Sequence, residues 1–496
     1  MSMSTAFVEA LQTISTGEPV LWLTVGVLFG IFVGSLPGIG GSLGMALVLP
    51  LTLPLSGVNA IILLVSIYSG AMYGGSIAAI LLNAPGTSAA AATTLDGYPL
   101  SRKGEAVTAL AMSAVSSTIG GFITIIILVL ISPFLVRMVL LFGSPEYFLI
   151  SLLGISMIAI VARGSLAKGI VSGMFGLLIA TVGIAPMVPQ QRYTFGYYQL
   201  YDGISFVAAL IGLFALAEMI NLAGEEGTVA KESSELSGSI KSGVKSVLER
   251  PLLVAKSSLI GMGIGAVPGA GSTVSTFVSY AEALRSSKDS DSFGEGSHEG
   301  VIAAESANNA TIPGSLIPTF SFGIPGSGST AVLLGGLIMH GLQPGPNLFS
   351  SGLSTTYTVF LALFLGNFII LGIGLTFISR MGYLTKVDTD IIIPAIIVLG
   401  VVGSYMLRVN WLDVFSVFLL GIIGYYMKKY NYSIIGLVLG IVLGPIAEEN
   451  LARSLVLSDG SLMVFVNQPL SLLIVIAIIA LTLGPVVKKQ REKWAA

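Results

Sequence analysis

Cysteine, histidine and charged residues are all scarce in this sequence. None of its 496 residues is cysteine, which excludes disulfides, thiolate metal sites and cysteine nucleophiles. The two histidines, His298 and His340, are too few for a metal cluster. Charged residues make up 10% of the chain and balance to a net charge of −2, which offers no basic surface to nucleic acid. Because soluble proteins carry roughly 25% charge, the chain is not a row of water-soluble domains.

Apolar side chains and glycine are abundant instead. Apolar residues account for 54% of the chain, the mean hydropathy is +0.92, and 61 residues are glycine. At about 20 residues per crossing, the apolar segments predict an all-α polytopic membrane protein with about 11–12 transmembrane helices. Glycine at this level in membrane helices permits close packing or deliberate helix breaks. The N-terminus has no basic residue before its first apolar run, so no cleaved signal peptide is expected.

The longest hydrophilic run, residues 224–250, separates two groups of apolar segments. We therefore predict a first transmembrane half at 1–223, a polar cytoplasmic connector at 224–250 and a second transmembrane half at 251–496. Lys and Arg mark cytoplasmic loops, and several successive basic clusters are separated by an even number of apolar segments. The clusters are Arg102/Lys103, Arg163/Lys168, Lys231 to Arg250, Arg285/Lys288, Arg380/Lys386, Lys428/Lys429 and Lys488 to Lys493. Asp96 and Glu105 flank the first cluster and are predicted to lie in a solvated loop.

Two segments, 20–55 and 251–285, each hold two apolar stretches joined by a Pro-Gly break instead of a polar loop. These hairpins repeat one another at a constant offset of 231 positions. The matching residues are Gly30, Gly34, Pro37, Gly38 and Gly40 in the first hairpin and Gly261, Gly265, Pro268, Gly269 and Gly271 in the second. A further break follows each hairpin, at Pro85-Gly86-Thr87 and Pro325-Gly326-Ser327. Flanking charges place the open end of the first hairpin outside and that of the second in the cytoplasm, which predicts two inverted-topology repeats of a transporter.

The Pro-Gly breaks have a chemistry that suits anions. Proline and glycine stop a helix inside the membrane, and the next helix then begins with unpaired N–H groups and a partial positive charge. Such a helix start binds a carboxylate without a buried lysine. The predicted substrate-binding residues are Pro37, Gly38, Gly40, Ser42, Pro85, Gly86, Thr87, Ser88, Pro268, Gly269, Gly271, Ser272, Thr273, Pro325, Gly326, Ser327, Ser329 and Thr330. The alternative is helix packing, which we favour for the four-residue spacing of Gly436, Gly440 and Gly444.

One acidic residue lies in an otherwise apolar segment of the second half. Glu305, Asn308 and Asn309 share one helical face if the segment is helical, because three- and four-residue spacings do so. A carboxylate inside a membrane helix indicates a cation or proton site, so we predict that these residues bind a coupling ion. Asn83, just before the break at Pro85, is predicted to belong with them. The alternative is a polar cap at a helix start near the membrane interface.

Four long motifs carry a resemblance to a known family. They are GSLPGIGGSLGMALVLPLTLPL, YSGAMYGGSIAAILLNAPGTSAAAATTLDGYPL, GVIAAESANNATIPGSLIPTFSFGIPGSGSTAVLLGGL and GLQPGPNLF, and together with the rest of the chain they resemble the large membrane subunit of tripartite tricarboxylate transporters. The resemblance implies a multi-pass protein of the bacterial inner membrane that works with a small four-helix membrane subunit and a periplasmic solute-binding protein. It implies import of citrate, related tri- or dicarboxylates or other organic acids, driven by a sodium or proton gradient. No resident metal or other cofactor is implied.

Other classes of protein remain as alternatives. The first is a stand-alone carrier or the large subunit of the related binding-protein-dependent dicarboxylate class. A channel would usually carry one short repeated pore motif and no pair of broken hairpins. An intramembrane enzyme is disfavoured, because the sequence has no HExxH motif, no cysteine and no plausibly spaced Ser/His pair. We therefore do not expect an enzyme.

Overall fold

The computed structural model describes residues 3–161, 166–185, 190–223, 237–380 and 389–480, which are almost entirely helical. Two short strands, Gly183–Ile184 and Gln191–Arg192, pair in antiparallel fashion with Gly183 opposite Arg192. The all-α polytopic membrane fold is confirmed. Numbered α1 to α20 in chain order, the α-helices are Met3–Ser15, Glu18–Gly34, Gly41–Val48, Gly57–Leu82, Ala91–Leu100, Ala106–Leu140, Ser144–Val161, Leu166–Ala180, Phe206–Leu210, Ala217–Ala223, Ile240–Leu248, Pro251–Gly265, Gly271–Ser286, His298–Phe322, Gly328–Met339, Leu353–Thr376, Thr389–Arg408, Trp411–Lys429, Ile434–Leu457 and Pro469–Ala480.

Shorter helical turns fill several of the connections. The 3-10 turns are Leu49–Thr52, Ser88–Ala90, Tyr198–Leu200, Ser290–Ser292, Ile378–Arg380 and Leu462–Phe465, and the π-helical turns are Ser101–Glu105 and Ile211–Leu216. Within the described residues, six helical stretches are long and apolar enough to cross a membrane, and α1 with α2 makes a seventh that is bent by 74°. Apolar helices of 10–17 residues, among them α12 and α15, complete the helical part. The predicted crossings therefore include helices shorter than a full span, as in hairpins that turn back inside a membrane.

Glycine lets equivalent helix pairs of the two halves pack backbone against backbone. Helix α2 runs parallel to α4, and α12 runs parallel to α14. Four glycines lie at these two helix contacts, and a Cβ atom added to any of them would overlap a carbonyl oxygen of the partner helix. The close approaches, from the Cβ position to the oxygen, are Gly30 to Ile67 (2.4 Å), Gly34 to Ala71 (2.3 Å), Gly261 to Ala307 (2.5 Å) and Gly265 to Thr311 (2.5 Å). The repeat that the sequence shows is thus also a repeat of contacts.

The two equivalent long helices, α4 and α14, meet in opposite directions. The Ser76 hydroxyl donates to Glu305, while the Asn308 amide, further along α14, donates to the carbonyl of Met72, further back along α4. Equivalent helices that cross antiparallel are what an inverted-topology repeat requires.

Part of the predicted connector is helical rather than polar loop. Residues 224–236 lie outside the described residues, but α11 occupies Ile240–Leu248. Gly243 of α11 lies against α6, with its Cβ position 2.5 Å from the carbonyl oxygen of Thr108, and Val247 is buried. This part of the connector forms a helix because its apolar residues fall on one helical face, which can be buried against α6.

Candidate functional site

The four Pro-Gly segments are brought together by the fold. We call them break 1 (residues 35–42), break 2 (83–88), break 3 (266–273) and break 4 (323–330). Break 1 contacts break 4 where the Ser42 and Ser329 hydroxyl oxygens are 3.1 Å apart. Break 3 contacts break 2 where the Thr273 hydroxyl donates to Ser88 Oγ over 2.8 Å. Each of these pairs joins one half of the chain to the other.

Contacts within each half complete the cluster of breaks. The Cβ position of Gly40 is 3.8 Å from the carbonyl oxygen of Gly86, and that of Gly271 is 3.9 Å from the carbonyl oxygen of Gly326. These two approaches are equivalent in the repeat, because they join break 1 to break 2 and break 3 to break 4. In each half, a glycine without a side chain thus lies directly beside the backbone of the next break.

The helix starts at the breaks differ in how their N–H groups are satisfied. Among the described residues, no side chain caps the start of α3, the 3-10 turn that leads into α5, or the start of α13. Helix α15 differs, because Ser327 and Thr330 form a capping box there. Those two hydroxyls thus bond to the start of their own helix, and their contact with a substrate stays a prediction. Three uncapped helix starts remain, and each favours negative charge.

The predicted substrate residues fall into exposed, partly exposed and buried groups. Gly38 and Ser88 are exposed. Eight others are partly exposed: Pro37, Gly40, Ser42, Pro85, Pro268, Gly271, Ser272 and Thr273. The buried ones are Gly86, Thr87, Gly269, Pro325, Gly326, Ser327, Ser329 and Thr330. Among the buried residues, Thr87 has a hydroxyl oxygen with no hydrogen-bond partner within the described part of the chain.

Two glycines at the breaks have a backbone that side chains rarely allow. Gly38 and Gly269, equivalent in the repeat, have φ of 82° and 76°. In this left-handed region a Cβ is strained, so the chain turns at these points only because glycine is present.

The carboxylate of Glu305 lies at the centre of a second cluster, on α14. Its side chain is fully buried. One oxygen, Oε1, accepts from the hydroxyls of Ser76 (2.6 Å) and Thr93. The other, Oε2, accepts from Ser113 (2.8 Å) and Ser117 (2.9 Å). Four hydroxyl donors replace the water that a buried carboxylate loses, and they come from three helices, α4, α5 and α6.

Asn308 and Asn309 adjoin this cluster but do not bond to the acid. Both lie on α14, so the predicted helix is present. The Asn309 amide donates to the carbonyl of Ser117 and to the side chain of Asn367. Asn308 donates to the Met72 carbonyl, and its own Oδ1 is buried without a hydrogen-bond partner among the described residues.

The structure gives Asn83 a different place. It is exposed, whereas Glu305 is fully buried, and it ends α4 in a left-handed conformation with φ of 57°. Gly323 ends α14 in the same way, with φ of 67°. Asn83 therefore acts as a helix C-cap and is not brought into the cluster of the buried acid.

The prediction that Asp96 lies in a solvated loop is wrong. The side chain is fully buried, and its Oδ1 accepts backbone N–H bonds from Gly294, Gly296 and Ser297 at 2.8–2.9 Å. Its Oδ2 accepts from the Tyr280 hydroxyl at 2.8 Å. The loop before α14 folds over the end of α5, and these four donors compensate for the burial. Glu105 is half exposed, as predicted.

Comparison with known proteins identifies the family. The model of the Tripartite tricarboxylate transporter TctA family matches residues 20–439, which include all four breaks and Glu305. The chain belongs to this family. The resemblance seen in the motifs is thereby confirmed, and the TctA family member described here is a multi-pass membrane component of a tripartite system.

Two relatives of this TctA family member come from Agrobacterium vitis. One, described as "Uncharacterized 52.8 kDa protein in TAR-I ttuC' 3'region", is 35% identical over 97% of this chain and 96% of its own length. The other, described as "Uncharacterized protein in TAR-II ttuC' 3'region", is 31% identical over 46% of this chain and 96% of its own length. No solved structure matches the chain.

Proposed function

We propose that this chain is the large membrane subunit of a binding-protein-dependent secondary transporter that imports tricarboxylates or related organic acids. The observation that carries the proposal is the meeting of three uncapped helix starts, at breaks 1, 2 and 3, in one partly exposed place. Each start offers free N–H groups and a partial positive charge to a carboxylate. A substrate with two or three carboxylates can engage starts from both halves of the chain together.

Hydroxyl groups supplement these backbone donors. Ser42, Ser88 and Thr273 already pair with hydroxyls across the two halves, and each pair can reorient to donate to a carboxylate that lies between them. The unpartnered hydroxyl of Thr87 is a further donor.

The cluster around Glu305 is proposed to bind the coupling ion. The four hydroxyl oxygens that contact the carboxylate have lone pairs of their own, and hard cations such as Na⁺ prefer oxygen ligands. A proton on the carboxylate is the other possibility, because each hydroxyl can accept as well as donate. Both fit a secondary transporter in which an ion gradient drives uptake.

The partners and the membrane follow from the tripartite family. We propose a small four-helix membrane subunit, a periplasmic solute-binding protein that delivers the substrate, and the bacterial inner membrane as the location. The alternative is a carrier that needs no binding protein, or one of the related dicarboxylate class. Uptake by the large subunit together with the small one, at micromolar substrate and without the binding protein, would favour that alternative.

Uptake into vesicles tests the proposal. Purified components are reconstituted, and uptake of tri-, di- and monocarboxylates is measured with and without Na⁺ and at two pH values. Gly40→Leu places a side chain between breaks 1 and 2, where the nearest atom to a Cβ is the Gly86 oxygen at 3.8 Å. We expect it to reduce uptake by at least about tenfold, which corresponds to 1.4 kcal/mol, while the protein still inserts.

A matched variant controls for the added side chain. Gly372→Leu, on α16, also enters open space, because no heavy atom of the described residues lies within 4 Å of its Cβ position outside its own helix and chain neighbours. It should transport at the wild-type rate. If no carboxylate in the panel is taken up, or if Gly40→Leu transports at the wild-type rate, the proposed substrate site is wrong.

A further inference from the structure

Helix α5, which belongs to the first half, is held along its length by the second half. At its leading turn, Ser88 accepts from Thr273 and the Ala89 carbonyl accepts from Thr276, both on α13. In its middle, Thr93 donates to Glu305 on α14. At its end, Asp96 is bound by Tyr280 and by the loop before α14, as described above.

The proposed substrate site and the proposed ion site therefore share this one short helix. Ser88 is at break 2, and Thr93, five residues later, contacts the acid. That separation is a rise of about 8 Å along the helix axis. Because a helical turn is stiff, a displacement of Thr93 is passed to the uncapped helix start at Ser88.

The equivalent helix of the second half, α15, has no such link in the described structure. The position 240 residues before Glu305 is Val65, which carries no charge. The start of α15 is bonded to the first half through the Ser329–Ser42 and Ser327–Tyr68 hydroxyl pairs and has its own capping box, but none of these bonds reaches an acid. Of the two helices that begin after breaks 2 and 4, it is therefore α5 that bonds directly to the acid in the described structure.

We propose that Thr93 is the positioning residue that couples the two sites. When Na⁺ or a proton occupies Glu305, the Thr93 hydroxyl exchanges its carboxylate acceptor for a new partner, and α5 shifts with it. The N–H groups at Ser88 then move relative to break 3, which changes the affinity for the carboxylate substrate. This inference rests on the proposed function and deepens it, since it names the path between the two sites.

The test compares two variants that each remove one hydroxyl from Glu305. Thr93→Val removes the hydroxyl on α5, and Ser113→Ala removes one of the two on α6, a helix that does not begin or end at a break. The full chain is purified with its small subunit, and binding of the radiolabelled carboxylate transported fastest in the uptake panel is measured with and without saturating coupling ion. In the wild type the ion should improve the dissociation constant by at least about fivefold.

For Thr93→Val we expect this improvement to fall below about twofold, even at saturating ion, and Thr93→Ser should restore it. Ser113→Ala should require more ion for half-maximal effect but keep the wild-type improvement at saturation. Thr276→Val removes the hydroxyl that holds the leading turn of α5 to α13, and it should lose the improvement as Thr93→Val does. It replaces Thr93→Val as the test if Thr93→Val fails to insert. If Thr93→Val keeps the wild-type improvement, or if Ser113→Ala loses as much of it as Thr93→Val, this inference is wrong while the proposed function still stands. A wild type whose affinity ignores both Na⁺ and pH overturns the proposed ion site as well.

Discussion

At the scale of single residues, the glycines of the two hairpins differ sharply in what surrounds them. The Cβ position of Gly34 is 2.3 Å from the Ala71 carbonyl oxygen, and backbone cannot move aside as a side chain can. For Gly263, no heavy atom of the described residues comes within 4 Å outside its own helix and chain neighbours. The same methyl group therefore has opposite consequences at the two positions.

We expect Gly34→Ala to destabilise the protein by about 1–3 kcal/mol, because α2 and α4 must separate. Gly263→Ala should be neutral or stabilise by up to about 1 kcal/mol, since alanine restricts the unfolded chain and favours the helix. Thermal unfolding of both variants in one detergent measures the difference. Equal midpoints would show that α2 and α4 do not need their close approach.

Substitution of Glu305 by glutamine keeps the shape of the side chain and removes its charge. If Na⁺ is the coupling ion, Glu305→Gln should need more Na⁺ for half-maximal uptake, because one ligand has lost its charge. If a proton is the coupling ion, the variant should lose the pH dependence of uptake, because the amide does not titrate. Glu249→Gln, an exposed acid on the connector, is the control. A variant with wild-type dependence on both ions would make Glu305 a structural residue.

The partners of Glu305 were beyond sequence reasoning. An acid among apolar residues is conspicuous, but Ser76, Thr93, Ser113 and Ser117 resemble other hydroxyl residues of the membrane helices. Most such hydroxyls bond to their own helix, as Ser258 does with the Val254 carbonyl. Which ones turn to a neighbouring helix depends on helix packing, and no local pattern reports that.

At the scale of the elements, Pro-Gly dipeptides predicted where the helices stop, and all four breaks were found at those positions. The sequence did not predict helix α11, the burial of Asp96 or the two helix C-caps, and each has a physical reason. Helix α11 owes its stability to burial against α6, and Asp96 is buried by the loop that follows α13. The C-caps at Asn83 and Gly323 depend on backbone conformation, which the sequence pattern did not report.

The cap at Asn83 leads to a direct prediction. Asn83→Gly keeps the left-handed conformation, so its stability should stay within about 0.5 kcal/mol of the wild type and its uptake should keep the same ion dependence. Asn83→Val should lose about 1–3 kcal/mol, since a branched side chain is strained there. Uptake titrations and thermal unfolding of both variants provide the measurement. If Asn83→Gly changes the ion dependence of uptake, Asn83 contributes to binding of the coupling ion.

At the scale of the whole molecule, the opposite orientation of the two halves remains a prediction. Its test is simple because the chain has no cysteine to remove. Thr16→Cys lies just before α2, Ser290→Cys lies just after α13, and both native residues are exposed. In intact cells, a membrane-impermeant maleimide should label Thr16→Cys, while Ser290→Cys should react only after the membrane is opened. Labelling of both from the same side would contradict the inverted repeat.

The hydroxyl pairs that join the breaks have a consequence for how a substrate would bind. A hydrogen bond of this kind contributes about 0.5–1.5 kcal/mol net, so to part both Ser42 from Ser329 and Ser88 from Thr273 costs about 1–3 kcal/mol. On hydrogen bonding alone, between about 1% and about 15% of molecules are parted at any moment. A carboxylate that binds between the breaks therefore needs no large rearrangement of these pairs, because a measurable fraction of molecules already has their hydroxyl groups free to donate.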